Sequence, residues 1–179
     1  GTKKASFSLQ KTAFYLVKRG PAPGSLDQGL KKQAIDLGVK LHFGRTIPEE
    51  EADVIATGPT PKKALGIVRG LRFHSEMDDT ASVVFNNNVA YKGYSYLLVM
   101  DGYGCICTVV FDKLGKINSC FEKTRDIFSK NFDLDIRNPQ RVGGIGNYSL
   151  EGKYKKEGRL YVGEAAGLQD LLWGFGIKM

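Results

Sequence analysis

The sequence predicts an α+β (mixed α/β) protein, and three observations carry that expectation. The first third alternates short apolar strands with one capped helix. The middle holds β-rich runs split by Asp, Asn and Gly, and the end returns to a short strand followed by small residues. At 179 residues the chain is long enough for one substantial domain or two small lobes with a real core.

Taken in order, Phe14 to Val17 reads as a strand and Gly20-Pro21-Ala22-Pro23-Gly24 as a rigid turn. Ser25 then caps a helix, with Gln28 as its capping-box partner. Leu26, Leu30, Ala34 and Leu37 recur at helical spacing and mark its buried stripe, and Gly38 is the stop signal. Val39 to Phe43 alternates and predicts a strand. After the acidic turn Glu49-Glu50-Glu51, the run Ala52 to Gly58 reads as a buried strand with a small-residue exit.

The runs Leu71 to Glu76, Ala81 to Phe85, Tyr94 to Asp101 and Tyr103 to Phe111 predict an antiparallel sheet, with a hairpin turn at Asp101-Gly102. A helix follows, opened by a second capping box (Ser119 with Glu122) and carrying Phe121, Ile127, Phe128 and Phe132 on its apolar side. Asn138-Pro139 ends that region. Gly143-Gly144-Ile145-Gly146-Asn147-Tyr148 reads as a flexible glycine-rich loop leading back to the closing strand, Leu160-Tyr161-Val162, which is expected to be buried. Beyond it, Gly163-Glu164-Ala165-Ala166-Gly167 lets the backbone come close to a ligand, and Gly174-Phe175-Gly176-Ile177 looks like the opening of a helix.

Charge and motifs narrow the chemistry. Lys plus Arg is 26 against 19 for Asp plus Glu, a net +7, but the basic residues fall in scattered pairs such as Lys31-Lys32 and Lys155-Lys156. No stripe with interleaved aromatics emerges, so no nucleic-acid partner is expected. His42 and His74 are too few and too isolated for a metal site and read as ordinary strand residues, and Asp78-Asp79 reads as a solvated turn. Cys105, Cys107 and Cys120 fit no zinc or redox spacing; the first two share a strand face and are expected to be reduced thiols of a cytoplasmic protein. The polar start GTKKASFSLQ reads as no signal peptide, and no run of about 18 apolar residues predicts a membrane span. G-x-G-x-x-G, G-x-x-x-x-G-K-[ST] and G-x-S-x-G are all missing from the sequence, and Gly144-x-Gly146 has Ser149 where a third glycine belongs.

Three blocks carry a resemblance. "ADVIATG" looks like a strand-plus-ATG signature, and "GRLYVGEAAGLQDLLWGFGI" like the second flavin motif of the glutathione-reductase superfamily. "YLVKRGPAPGSLDQGLKKQAIDLGVKLHFG" adds an Arg followed by a Leu-Asp pair opening a helix. In this order, with β-rich sequence between the last two, they resemble FAD-dependent oxidoreductases of the geranylgeranyl-reductase-like, p-hydroxybenzoate-hydroxylase-like group, from about Phe14 to Met179.

The resemblance implies a partial FAD-binding parallel sheet from residues 1–70 and 141–179, and an antiparallel-sheet substrate portion from 71–140. It assigns cofactor contacts to Arg19, Thr57, Gly58, Gly163, Glu164, Ala165, Ala166, Gly167, Asp170, Gly174, Gly176 and Ile177, with Glu164 on the ribityl hydroxyls, where the family commonly has Asp. Leu171 stands where the family often has Pro. Tyr148 and Trp173 become aromatic walls of a substrate pocket, and no catalytic acid is assigned. The implied function is reduced FAD transferring hydride to, or activating oxygen for, an unsaturated hydrophobic substrate. The family's N-terminal G-x-G-x-x-G unit has no counterpart, so the chain resembles a family member truncated at both ends. Its strands around Val54 and Leu160 would normally neighbour that absent first strand, and the apolar edge so exposed predicts a homo-oligomer. The alternative is a non-catalytic ligand-binding module that has lost FAD binding.

Overall fold

The computed structural model describes Tyr15 and residues 17–59, 64–147 and 154–168. The chain divides into two compact units, Gly1–Thr46 and Ile47–Met179.

In the first unit the helix is α1, Leu26–Asp36. Its start follows the sequence in part. Ser25 Oγ accepts from Gln28 N at 3.3 Å, but the Ser25 N–H donates to the Ala22 carbonyl instead of to the Gln28 side chain, so only half of the capping box forms. The stop holds: Gly38 takes a φ of +82° and its N–H reaches the Ile35 carbonyl at 2.9 Å. The expected buried stripe does not form, since no residue of α1 is buried and Leu37 is 84% exposed. Residues 39–43 are not a strand either. Alternation offers a face, but a strand also needs a ladder partner, and none of the described residues supplies one here. Residues 14 and 16 of the expected first strand lie outside the described residues, and Tyr15 and Val17 carry no strand.

The second unit is α+β. Its strands are β1 (Val54–Ile55), β2 (Gly66–His74), β3 (Thr80–Val84), β4 (Tyr94–Met100), β5 (Tyr103–Val110), β6 (Arg137–Gly146), β7 (Lys155–Lys156) and β8 (Arg159–Tyr161), with α2 (Ile117–Asn131) between β5 and β6. They form a five-stranded antiparallel sheet in the order β3-β4-β5-β2-β6 and a mixed three-stranded sheet in the order β1-β8-β7. Asp101 and Gly102 join β4 to β5 with φ of +48° and +76°, the two left-handed residues that a tight hairpin needs.

Alternation decides which face of the large sheet is core. Phe73, Leu97, Val99 and Ile106 point to one side and pack against Phe121 and Phe128 of α2. Within that apolar layer, Ser95, Thr108 and Thr124 are fully buried and satisfy one another, the Ser95–Thr124 pair at 2.6 Å, while Thr124 also donates to the Cys120 carbonyl at 3.0 Å. At the centre of the sheet, a Cβ on Gly70 would meet both Cys107 Sγ and the Ile106 carbonyl at 2.3 Å, so β2 and β5 approach as only glycine allows.

Three further expectations are corrected here. The run 143–146 is not a loop: it pairs with Gly66–Arg69 as the end of β6, because an edge strand tolerates glycine and needs partners on one side alone. Asn138-Pro139 accordingly lies inside a strand, where the register slips between Arg72 and His74 and Asn138 takes a φ of +50°, a bulge that accommodates the proline at the sheet edge. Finally, α2 begins before Ser119. A 3₁₀ turn over Leu114–Lys116 leads into Ile117, so the Ser119 hydroxyl donates to the Lys116 carbonyl at 2.9 Å and Glu122 pairs with Arg125 rather than capping. His74 does lie on a strand, β2, whereas His42 lies on none. No helix among the described residues is long and apolar enough to cross a membrane.

Candidate functional site at the ends of two parallel strands

Two short segments about a hundred residues apart meet in the three-stranded sheet. β1 and β8 run parallel with Val54 opposite Leu160 and Ile55 opposite Tyr161. Leu160 N donates to the Asp53 carbonyl and Val162 N to the Ile55 carbonyl, each at 3.0 Å. The two strands thus pair directly with each other rather than across an intervening strand. Tyr161 also donates its hydroxyl to Glu49, and Arg159 donates to the Glu50 carbonyl at 3.2 Å, tying the start of β1 to β8. Both strands are short, and of their residues only Ile55 is buried, so the expectation of a buried closing strand does not hold: Leu160 is 46% exposed.

Parallel pairing makes both strands leave the sheet at the same end, where open α/β sheets commonly hold ligands. β1 continues into Ala56, Thr57 and Gly58; β8 continues through Val162 into a 3₁₀ turn over Gly163–Ala166 closed by Gly167. Gly58, Gly163 and Gly167 have φ of +77°, +57° and +77°, a region that side chains disfavour. A Cβ added to Gly58 or Gly163 would meet nothing within 4 Å, so the backbone bends away and leaves open space above it. Ala166 is buried beneath the turn, which Leu168 N secures through the Gly163 carbonyl at 3.0 Å.

Glu164 is half-buried on that turn. Its Oε1 accepts the Asn147 N–H at 3.3 Å, fixing the carboxylate to the end of β6. Oε2 has no hydrogen-bond partner among the described residues. The contact to Asn147 depends on the register of β6, a strand that glycine and proline disguise in the sequence, and no local pattern marks it. A half-buried carboxylate with one oxygen anchored and one available suits paired hydroxyl donors, and the open backbone beside it leaves room for a bulky group.

Thr57 and Gly58 follow β1, and Gly163, Glu164, Ala165, Ala166 and Gly167 follow β8, at the same end of the parallel pair. Arg19 belongs to the first unit, where its guanidinium forks onto Asp27 at 2.8 and 3.0 Å while Gly20 N donates to the same carboxylate. The Arg19 hydrogen bond holds the Asp27 carboxyl well below the usual carboxylate range. Asp170, Gly174, Gly176 and Ile177, with Tyr148 and Trp173, lie outside the described residues.

The face of the five-stranded sheet turned away from α2 is a second feature. Alternation puts Tyr94, Tyr96, Leu98, Cys105, Cys107 and Val109 there, with Tyr96, Leu98 and Cys105 half-exposed. The two sulfurs lie 3.3 Å apart and all three cysteines are free thiols. Their shared hydrogen bond lowers Cys105 and raises Cys107 relative to an ordinary thiol, and burial drives the Tyr96 hydroxyl far up. Among the described residues, no three His, Cys, Asp or Glu side chains converge as a metal site would require.

No protein-family model matches the sequence, and no curated protein matches it. A geranylgeranyl bacteriochlorophyll reductase-like protein of Thermoplasma acidophilum has a similar solved structure, at 18% identity and a TM-score of 0.47. The similarity covers 62% of this chain and 29% of that one, so this chain spans under a third of the length of the structure it matches.

Proposed function

We propose that the chain is part of a flavin-dependent oxidoreductase in which the exits of β1 and β8 cradle the ribityl and pyrophosphate stretch of FAD. The observation that carries this reading is the direct parallel pairing of Val54–Ile55 with Leu160–Tyr161, beyond which the ATG and G-E-A-A-G segments continue from the same end. Each segment alone is a short run of small residues; their convergence at the carboxyl end of one sheet is what a bound dinucleotide requires. Glu164 Oε2 accepts from ribityl hydroxyls, and the left-handed glycines keep side chains clear of the cofactor. When bound, the flavin supplies hydride transfer or oxygen activation. The half-exposed tyrosine, leucine and thiol face of the large sheet receives an apolar, unsaturated substrate and keeps water from it.

In this reading the protein uses no metal and no nucleic acid. The protein resides in the cytoplasm, where its thiols stay reduced, and copies associate along β1, one of the two edges of the small sheet among the described residues.

A titration with FAD, followed by flavin fluorescence and the visible spectrum, tests this. Saturable binding at micromolar concentration that Glu164→Ala abolishes is the expected result. Absence of binding up to about a millimolar overturns it. The apolar sheet face favours a second reading, a module that holds an apolar ligand without cofactor; binding of a long-chain fluorescent probe with no flavin binding would select it.

A further inference from the structure

The large sheet carries four arginines, and two of them have no side-chain partner among the described residues. Arg72 forks onto the Gln140 side chain, and Arg137 pairs with Glu76 and with Asp135. Arg69 on β2 and Arg141 on β6 have no side-chain hydrogen bond or ion pair among the described residues. The register places Arg69 opposite Gly143 and Leu71 opposite Arg141, so the two guanidiniums are diagonal neighbours on one face, the face that α2 covers elsewhere. Like charges on one face of neighbouring strands disfavour each other, and neither guanidinium has an ion pair among the described residues.

The space before them is concave. Two adjoining grooves of about 410 and 420 Å³ run between β2, β6 and the first turns of α2, and Arg69 and Arg141 line both. Gly143, opposite Arg69, has no side chain to fill the gap. Arg125 and Asn118 add donors from α2, with Arg125 also engaged by Glu122 at 3.2 Å, and Leu71 and Phe121 form the apolar part of the wall. Arg69 is half-buried, which limits screening by salt and strengthens any anion it meets.

We propose that this groove binds a phosphate-bearing small molecule, its phosphate or diphosphate held between Arg69 and Arg141 by paired charge-assisted hydrogen bonds. The groove is enclosed by the helix on one side and carries Glu122 at its rim, which suits a compact anion and opposes an extended polyanion. This site is separate from the strand exits that hold Glu164, and its test does not depend on flavin.

The full chain is titrated calorimetrically with inorganic pyrophosphate at low ionic strength. The expected result is one saturable site that added salt weakens and that Arg69→Gln and Arg141→Gln each weaken by about tenfold or more. Far-ultraviolet circular dichroism confirms the fold of each variant. Arg141 is exposed, so its variant decides the matter if Arg69→Gln fails to fold. No saturable binding at millimolar pyrophosphate, or binding unchanged by Arg141→Gln, overturns the proposal. Tighter binding of a single-stranded oligonucleotide through the same arginines overturns it as well, in favour of a nucleic-acid track.

Discussion

The two sheets of the second unit hold their strands by different means. The five-stranded sheet buries Phe73, Leu97, Val99 and Ile106 beneath α2 and threads a satisfied hydroxyl network through the contact. The three-stranded sheet is built from strands of two and three residues, buries Ile55 alone among them, and ends in glycines with left-handed backbone. Stability therefore resides in the first and room for a ligand in the second. The site proposed for a cofactor thus lies in the thinly packed part of the molecule, where local opening costs least.

Four substitutions and one change of pH sharpen that contrast. Phe128 is 1% exposed and central to the core, so Phe128→Ala is expected to lower unfolding free energy by about 3–5 kcal/mol in a urea titration. A loss below 1 kcal/mol would show the large sheet to be far less decisive than its packing implies. Gly70→Ala drives a methyl into Cys107 and the Ile106 carbonyl, and roughly 1–3 kcal/mol is expected to be lost as β2 and β5 separate. Gly58→Ala meets no neighbour, and its cost is conformational, about 1–2 kcal/mol for a left-handed residue. That variant is expected to weaken flavin binding more than Gly70→Ala does, because only the former lies at the strand exits.

The smallest effect is electrostatic. Hydrogen bonding to Arg137 holds the Glu76 carboxyl below its usual value, and the Glu76 backbone N–H does the same for Asp135. Carboxyls lowered on folding stabilise the protein above their unfolded pKa values and lose that contribution as pH falls through the folded ones. The thermal midpoint is therefore expected to be insensitive to these groups near neutrality and to decline below about pH 4, with Arg137→Gln flattening the acid limb. All three groups face solvent, so a large shift would mean that other titrations dominate.

The antiparallel sheet was legible because its runs alternate and its hairpin carries Asp-Gly, and α2 because phenylalanines recur on one side. What escaped depends on partners distant in sequence. β6 pairs through a glycine-rich segment whose composition reads as loop, and only its position beside β2 makes it a strand. Leu30 and Leu37 have helical spacing but nothing buries them, and Val39, Leu41 and Phe43 alternate without a ladder. Periodicity reports a face; it does not supply what covers it. At the candidate site, the glycines and Glu164 were legible from the motifs. The Asn147 anchor and the Arg69–Arg141 pair were not, since both follow from the register of a strand the sequence conceals.

That same strand also bears on how the molecule meets its own copies. A free sheet edge invites a neighbouring chain to continue the ladder, and among the described residues β6 is such an edge. Here the bulge at Asn138, the proline beside it, and two arginines along its length break the repeat that an incoming strand would need. The edge works as a terminus, so the sheet resists growing into a fibril from that side.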